Sequence, residues 1–72
     1  MFDEKEEALK IYSKLENLIK TKGIKAQDIS NYLKINKQSV SNNRQLLKSG
    51  KLPNGRFLVG ISKFFGENFL QN

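Results

Sequence analysis

The absence of cysteine from a chain of 72 residues is the tightest constraint on its fold. A chain this short buries only about 60% of the surface that its unfolded form exposes. Small domains ordinarily offset that deficit with disulfides or a thiolate-held zinc. Neither route is open here, so the core must be simple and mostly helical, or shared with a second copy. The length also allows one domain only, spanning residues 1–72, because independent domains cluster at roughly 100 to 150 residues.

Histidine is missing too, which removes the commonest general base and the commonest metal ligand. Asp3, Glu4, Glu6 and Glu7 crowd one terminus and read as surface charge rather than as an acid–base pair. The expectation is therefore a protein that is not an enzyme, with no catalytic residues, no metal, no cofactor and no small-molecule ligand. No apolar run approaches the roughly 20 residues that cross a bilayer, and Met1 to Glu7 lacks the basic and apolar stretches of a signal peptide. A cytoplasmic protein without membrane contact is expected.

Hydrophobic periodicity divides the chain into helices. Asp3 and Glu6 have capping-box spacing, and Ala8, Ile11, Tyr12, Leu15, Leu18 and Ile19 recur at three and four up to a C-cap at Gly23. A short helix is predicted over 26–33, with Ile29, Tyr32 and Leu33 as its apolar contacts. Another begins after Asn36, a good N-cap, and runs toward Lys48. The stretch 49–55 is dense in breakers and forms the main loop. Beyond it, Phe57, Leu58, Ile61, Phe64 and Phe65 describe a helix ending at Gly66, followed by a turn holding Phe69 and Leu70. The fold class is all-α, a bundle of four to five helices.

The charge is unevenly placed. Residues 1–22 carry five acids and five lysines, whereas residues 23–72 carry Lys25, Lys34, Lys37, Arg44, Lys48, Lys51, Arg56 and Lys63 against Asp28 and Glu67 alone. The whole net charge of +6 lies in the last fifty residues. Such segregation is the electrostatic footprint of a nucleic-acid binder, because each cation near a phosphate releases condensed counterions. It equally suits a cationic surface kept for solubility.

Residues 26–45, AQDISNYLKINKQSVSNNRQ, narrow the choice. Two short helices separated by three residues, with Ile29, Leu33, Ile35 and Val40 apolar, have the pattern of a helix-turn-helix. Ile29 and Leu33 face the core, Ile35 plugs the turn and Val40 locks the second helix onto the first. Ser30 is small where the helices cross.

On these residues the chain resembles the Cro and phage-repressor family of helix-turn-helix regulators. The likeness extends to Gly50-Lys51-Leu52-Pro53, which looks like the Gly and Pro after that family's recognition helix. It continues through Leu58, Ile61, Phe65, Gly66 and Leu70, which look like its closing helix. It covers residues 15–70 and implies a lambda-repressor-like fold. Three features depart from the family pattern. Lys34 stands at a left-handed turn position usually held by Gly, and Asn43 stands where an apolar residue is usual. Val40 and Gly50 are about one helical turn further apart than usual. A third helix continuing through Leu46 and Leu47, which would supply the contact that Asn43 does not, accounts for the last two.

The resemblance implies that the helix starting at Lys37 enters the major groove of double-stranded DNA. Gln38, Asn42 and Gln45 lie opposite Val40 by their spacing, flanked by Lys37 and Ser41. These five are the candidate base readers. Gln38 and Asn42 each offer an acceptor and a donor to adenine, and Lys37 suits guanine or a phosphate. No carboxylate occurs between Asp28 and Glu67, so this face carries no repulsion toward phosphate. Gln27 and Ser39 are the neutral candidates for phosphate contact, and Lys25, Lys48 and Lys51 the cationic ones. The alternative for each is an ordinary solvated polar residue.

The leading expectation is a sequence-specific transcriptional regulator, a phage or mobile-element repressor or Cro-like switch protein, associated with the nucleoid. It would act as a homodimer on a near-palindromic operator, as such small readers do. The carboxyl end has more large apolar residues than one helix face buries, which leaves Phe57, Phe64 and Phe69 as candidates for the dimer surface; Phe2 and Leu9 are the second choice. The competing expectation is a protein-interaction module, an inhibitor or antitoxin-like adaptor on the same fold, binding an acidic protein surface.

Overall fold

A computed structural model describes residues 3–69. These form four helices, α1 (Glu4–Lys22), α2 (Ala26–Leu33), α3 (Lys37–Lys48) and α4 (Gly55–Phe65), and no strand occurs among them. The all-α bundle expected from the periodicity is what the chain forms. Phe2 and Leu70 lie outside the described residues.

Each helix starts where a side-chain oxygen meets an otherwise unpaired N–H. The Asp3 carboxylate accepts from the Glu6 amide at 3.3 Å, Asn36 Oδ1 from Ser39 at 2.7 Å and Asn54 Oδ1 from Phe57 at 2.9 Å. At α2 the bond runs backward: the Lys25 amide donates to Asp28 Oδ2 at 2.9 Å. Gly23 and Gly66 close α1 and α4 in the left-handed conformation.

The core is built from every helix. Ala8, Ile11 and Leu15 of α1 meet Ile29 of α2, Val40 and Leu47 of α3, and Phe57, Leu58, Ile61 and Phe65 of α4; Phe69 closes one end. Leu15, Ile29, Val40, Leu47 and Ile61 are completely buried. Leu47 supplies the lower contact of α3, but Leu46 does not share it and remains 39% exposed. The expected pair is therefore one residue, because a helix turns neighbouring side chains about 100° apart.

Two close approaches fix how the elements meet. Gly60 of α4 faces Leu33 of α2 so closely that a Cβ there would lie 2.2 Å from Leu33 Cδ2. After α3 the chain turns through Gly50 at φ +88°, and Lys5 of α1 packs over it, 2.8 Å from where a Cβ would stand. Glu4 Oε2 then accepts from the Leu52 amide at 3.0 Å, so the loop after α3 is tied to the start of α1. Part of the terminal acid cluster thus has a structural task that its position in the sequence does not reveal.

The aromatic surplus of the carboxyl end is largely internal. Phe57 and Phe69 are 3% and 4% exposed, which corrects their expected place on a dimer surface: in a domain this small the aromatics are the core. Phe64 is half-buried, its ring 5.1 Å from Tyr32 and 4.9 Å from Phe65. Tyr32, expected inside, is 51% exposed and covers Phe64 from without.

Candidate nucleic-acid interface

The segment 26–45 folds as two helices joined by a tight turn. Lys34 adopts φ 58°, ψ 43°, the left-handed conformation that its alignment with a Gly position anticipates, and no other described non-glycine residue has positive φ. The strain, about 1 kcal/mol for a residue with a Cβ, is held by two flanking bonds. The Lys34 amide donates to the Ser30 carbonyl, and the Ile35 amide donates to the same oxygen at 3.1 Å. Ile35 packs against the core from the turn. Ser30, 3% exposed, satisfies its hydroxyl by donating to the Gln27 carbonyl at 2.9 Å.

α3 is sharply two-sided. Val40 and Leu47 point inward, with Asn43 and Arg44 half-buried beside them, whereas Lys37, Gln38, Ser41, Asn42 and Gln45 are all exposed. These are the five residues expected from the spacing, gathered on one face. On that face Gln38 Nε2 donates to Asn42 Oδ1 at 3.0 Å. The bond lines up the two amides one helical turn apart. It leaves the Gln38 oxygen and the Asn42 nitrogen unengaged by each other, one an acceptor and the other a donor.

Asn43, at the family's apolar position, is accommodated by its own helix: Nδ2 donates to the Ser39 carbonyl at 2.8 Å. Arg44 lies on the inner side and forms a bidentate pair with Glu16 of α1, at 2.8 and 2.7 Å. The Glu16 hydrogen bond raises the Arg44 pKa above its ordinary value, with burial opposing and the Glu16 charge assisting. This cation clamps α1 to α3, with Nε and Nη2 both engaged by Glu16.

Lys25, Lys48 and Lys51 are exposed and form no ion pair among the described residues. Gln27 is also exposed but is engaged locally, its Nε2 donating to Ser30 Oγ at 3.2 Å and Asn31 Oδ1 at 2.9 Å. Ser39 is half-buried at the start of α3. It lines a concave pocket between the end of α2 and the starts of α3 and α4, with Leu33, Lys34, Ile35, Asn43, Asn54, Arg56 and Phe57 around it. Lys34 and Arg56 make its rim cationic. In the sequence position 34 stands out for its backbone conformation alone, and Arg56 is brought beside α3 only by tertiary packing.

Among the described residues no cluster of acids fit to hold a metal ion occurs, and no helix is long and apolar enough to cross a membrane. Comparisons with protein families, curated proteins and solved structures found no match.

Proposed function

We propose that this protein is a sequence-specific binder of double-stranded DNA, a helix-turn-helix regulator of the repressor or Cro-like kind, and that α3 reads the major groove. The observation that carries the proposal is the outer face of α3: five exposed polar or cationic side chains without a carboxylate among them, on a helix whose other side is locked by Val40 and Leu47. An α-helix fits a major groove lengthwise, and base edges there are read by amide and hydroxyl side chains.

In this reading the aligned Gln38–Asn42 pair selects an adenine, Gln45 and Ser41 read the flanking bases, and Lys37 takes guanine or a phosphate. Lys25, Lys48 and Lys51, joined by Lys34 at the pocket beside the start of α3, set affinity through phosphates. Ser39 and Gln27 sit at helix starts, where neutral donors meet the backbone. Two copies pair on a near-palindromic site. With Phe57 and Phe69 inside the core, half-buried Phe64 on α4 and Leu9 on α1, 40% exposed, are the described apolar residues left from those expected at that contact.

The test compares affinity for a selected duplex with affinity for random duplex. Gln38→Ala and Asn42→Ala are each expected to lower discrimination by about 1 to 3 kcal/mol while leaving random-duplex binding unchanged. Lys48→Ala is expected to weaken both and to flatten the slope of log affinity against log salt by about 0.9. Wild-type protein binding every duplex equally would refute the proposal.

A further inference from the structure

We infer that the groove between α2 and α4 is a second binding surface, and that its occupant is an acidic amphipathic helix of another protein. The groove floor is Leu33 and Gly60, and its walls carry Tyr32, Val59, Arg56 and Lys63. Its shape follows from one residue: without a side chain at Gly60, Leu33 sinks against the backbone of α4 and leaves a shallow channel. Two of the few large apolar residues exposed on the described surface, Tyr32 at 51% and Val59 at 43%, flank this channel.

The charge around the groove selects the occupant. Arg56, Val59 and Lys63 follow one another at spacings of three and four, so they form a single stripe along α4. The two cations stand about 10 Å apart along the axis with the valine between them. Neither is ion-paired among the described residues, and the nearest acid in sequence, Glu67, is occupied by Lys14 at 3.5 Å. A second copy docked symmetrically here would set cations against cations, which is unfavourable at close range. A phosphate backbone would bury Val59 against charge. A helix bearing carboxylates seven residues apart, with a large apolar residue between them, matches both cations and fills the channel in one register. The surface involves none of the five outward residues of α3, so the inference does not rest on the DNA-binding proposal.

The probe is a short synthetic helical peptide with Glu at positions seven apart and Leu midway, titrated into the isotope-labelled full chain and followed by amide chemical shifts. The shifts are expected to centre on Tyr32, Gly60 and Lys63. Val59→Asp, a change at an exposed site, is expected to weaken binding at least about tenfold, as is replacing both Glu of the peptide by Gln. Lys63→Glu should weaken binding likewise, and a peptide with Lys at the facing position should restore it. Absence of binding, shifts spread over all cations alike, or binding that survives Val59→Asp would overturn the inference. So would self-association lost in Val59→Asp, which would make the occupant a second copy, or duplex DNA displacing the peptide from these residues. Failure of Gln38→Ala and Asn42→Ala to alter duplex selection would refute the DNA reading and leave the peptide result standing.

Discussion

Lys34 holds a left-handed turn that costs a residue with a Cβ about 1 kcal/mol relative to glycine. Lys34→Gly is therefore expected to raise the melting temperature by a few degrees, read by thermal unfolding, and to weaken duplex binding slightly by removing a cation from the pocket at the start of α3. A lower melting temperature would contradict the turn geometry. The conformation was legible in the sequence because the spacing of Ile29, Leu33, Ile35 and Val40 fixes where the turn must fall. The fate of Phe57 and Phe69 was not. Both recur at helical spacing with the true core, and periodicity counts apolar residues without showing how much volume the other helices leave to fill. Arg44 was equally opaque: its partner Glu16 is twenty-eight positions away, and only the packing of α1 on α3 brings them together.

Between elements, two contacts decide how the helices are held. Glu16 and Arg44 strap α1 to α3, each side chain still about 30% exposed, so screening by solvent keeps the bidentate pair to about 1 kcal/mol. Glu16→Gln is expected to lower stability by about that amount in urea unfolding, and the loss should shrink when Arg44 is replaced as well. An undiminished loss would mean that the pair contributes nothing of its own. Gly60→Ala is expected to destabilise by about 1 kcal/mol, because the new methyl group meets Leu33 and forces its side chain to another rotamer. An unchanged midpoint would contradict that close approach. Helix starts were readable from local chemistry, since Asp3 and Asn36 cap the residues next to them. The reach of α3 was partly readable: its length follows from Leu47, but only the structure turns Leu46 outward and ties the loop at Leu52 to Glu4.

At the scale of the molecule, the positive charge is sorted by use. Arg44 and Lys14 are spent on internal pairs, whereas Lys25, Lys34, Lys37, Lys48, Lys51, Arg56 and Lys63 face outward without an ion pair among the described residues. A count along the chain finds the excess but cannot separate these two sets. Few large apolar side chains are exposed on the described surface, and one such residue buried contributes about 1.5 to 3 kcal/mol. The free protein is accordingly expected to sediment as a monomer at micromolar concentration and to pair only on an operator; a stable dimer without DNA would contradict this. Whether the outer face of α3 reads base sequence is decided by selection of bound duplexes from a random pool. Enrichment of an inverted repeat with half-sites about one helical turn apart is expected, with the preference at one adenine of each half-site lost in Asn42→Ala. A pool that stays random after repeated selection, or an enriched site unchanged by that substitution, would contradict it.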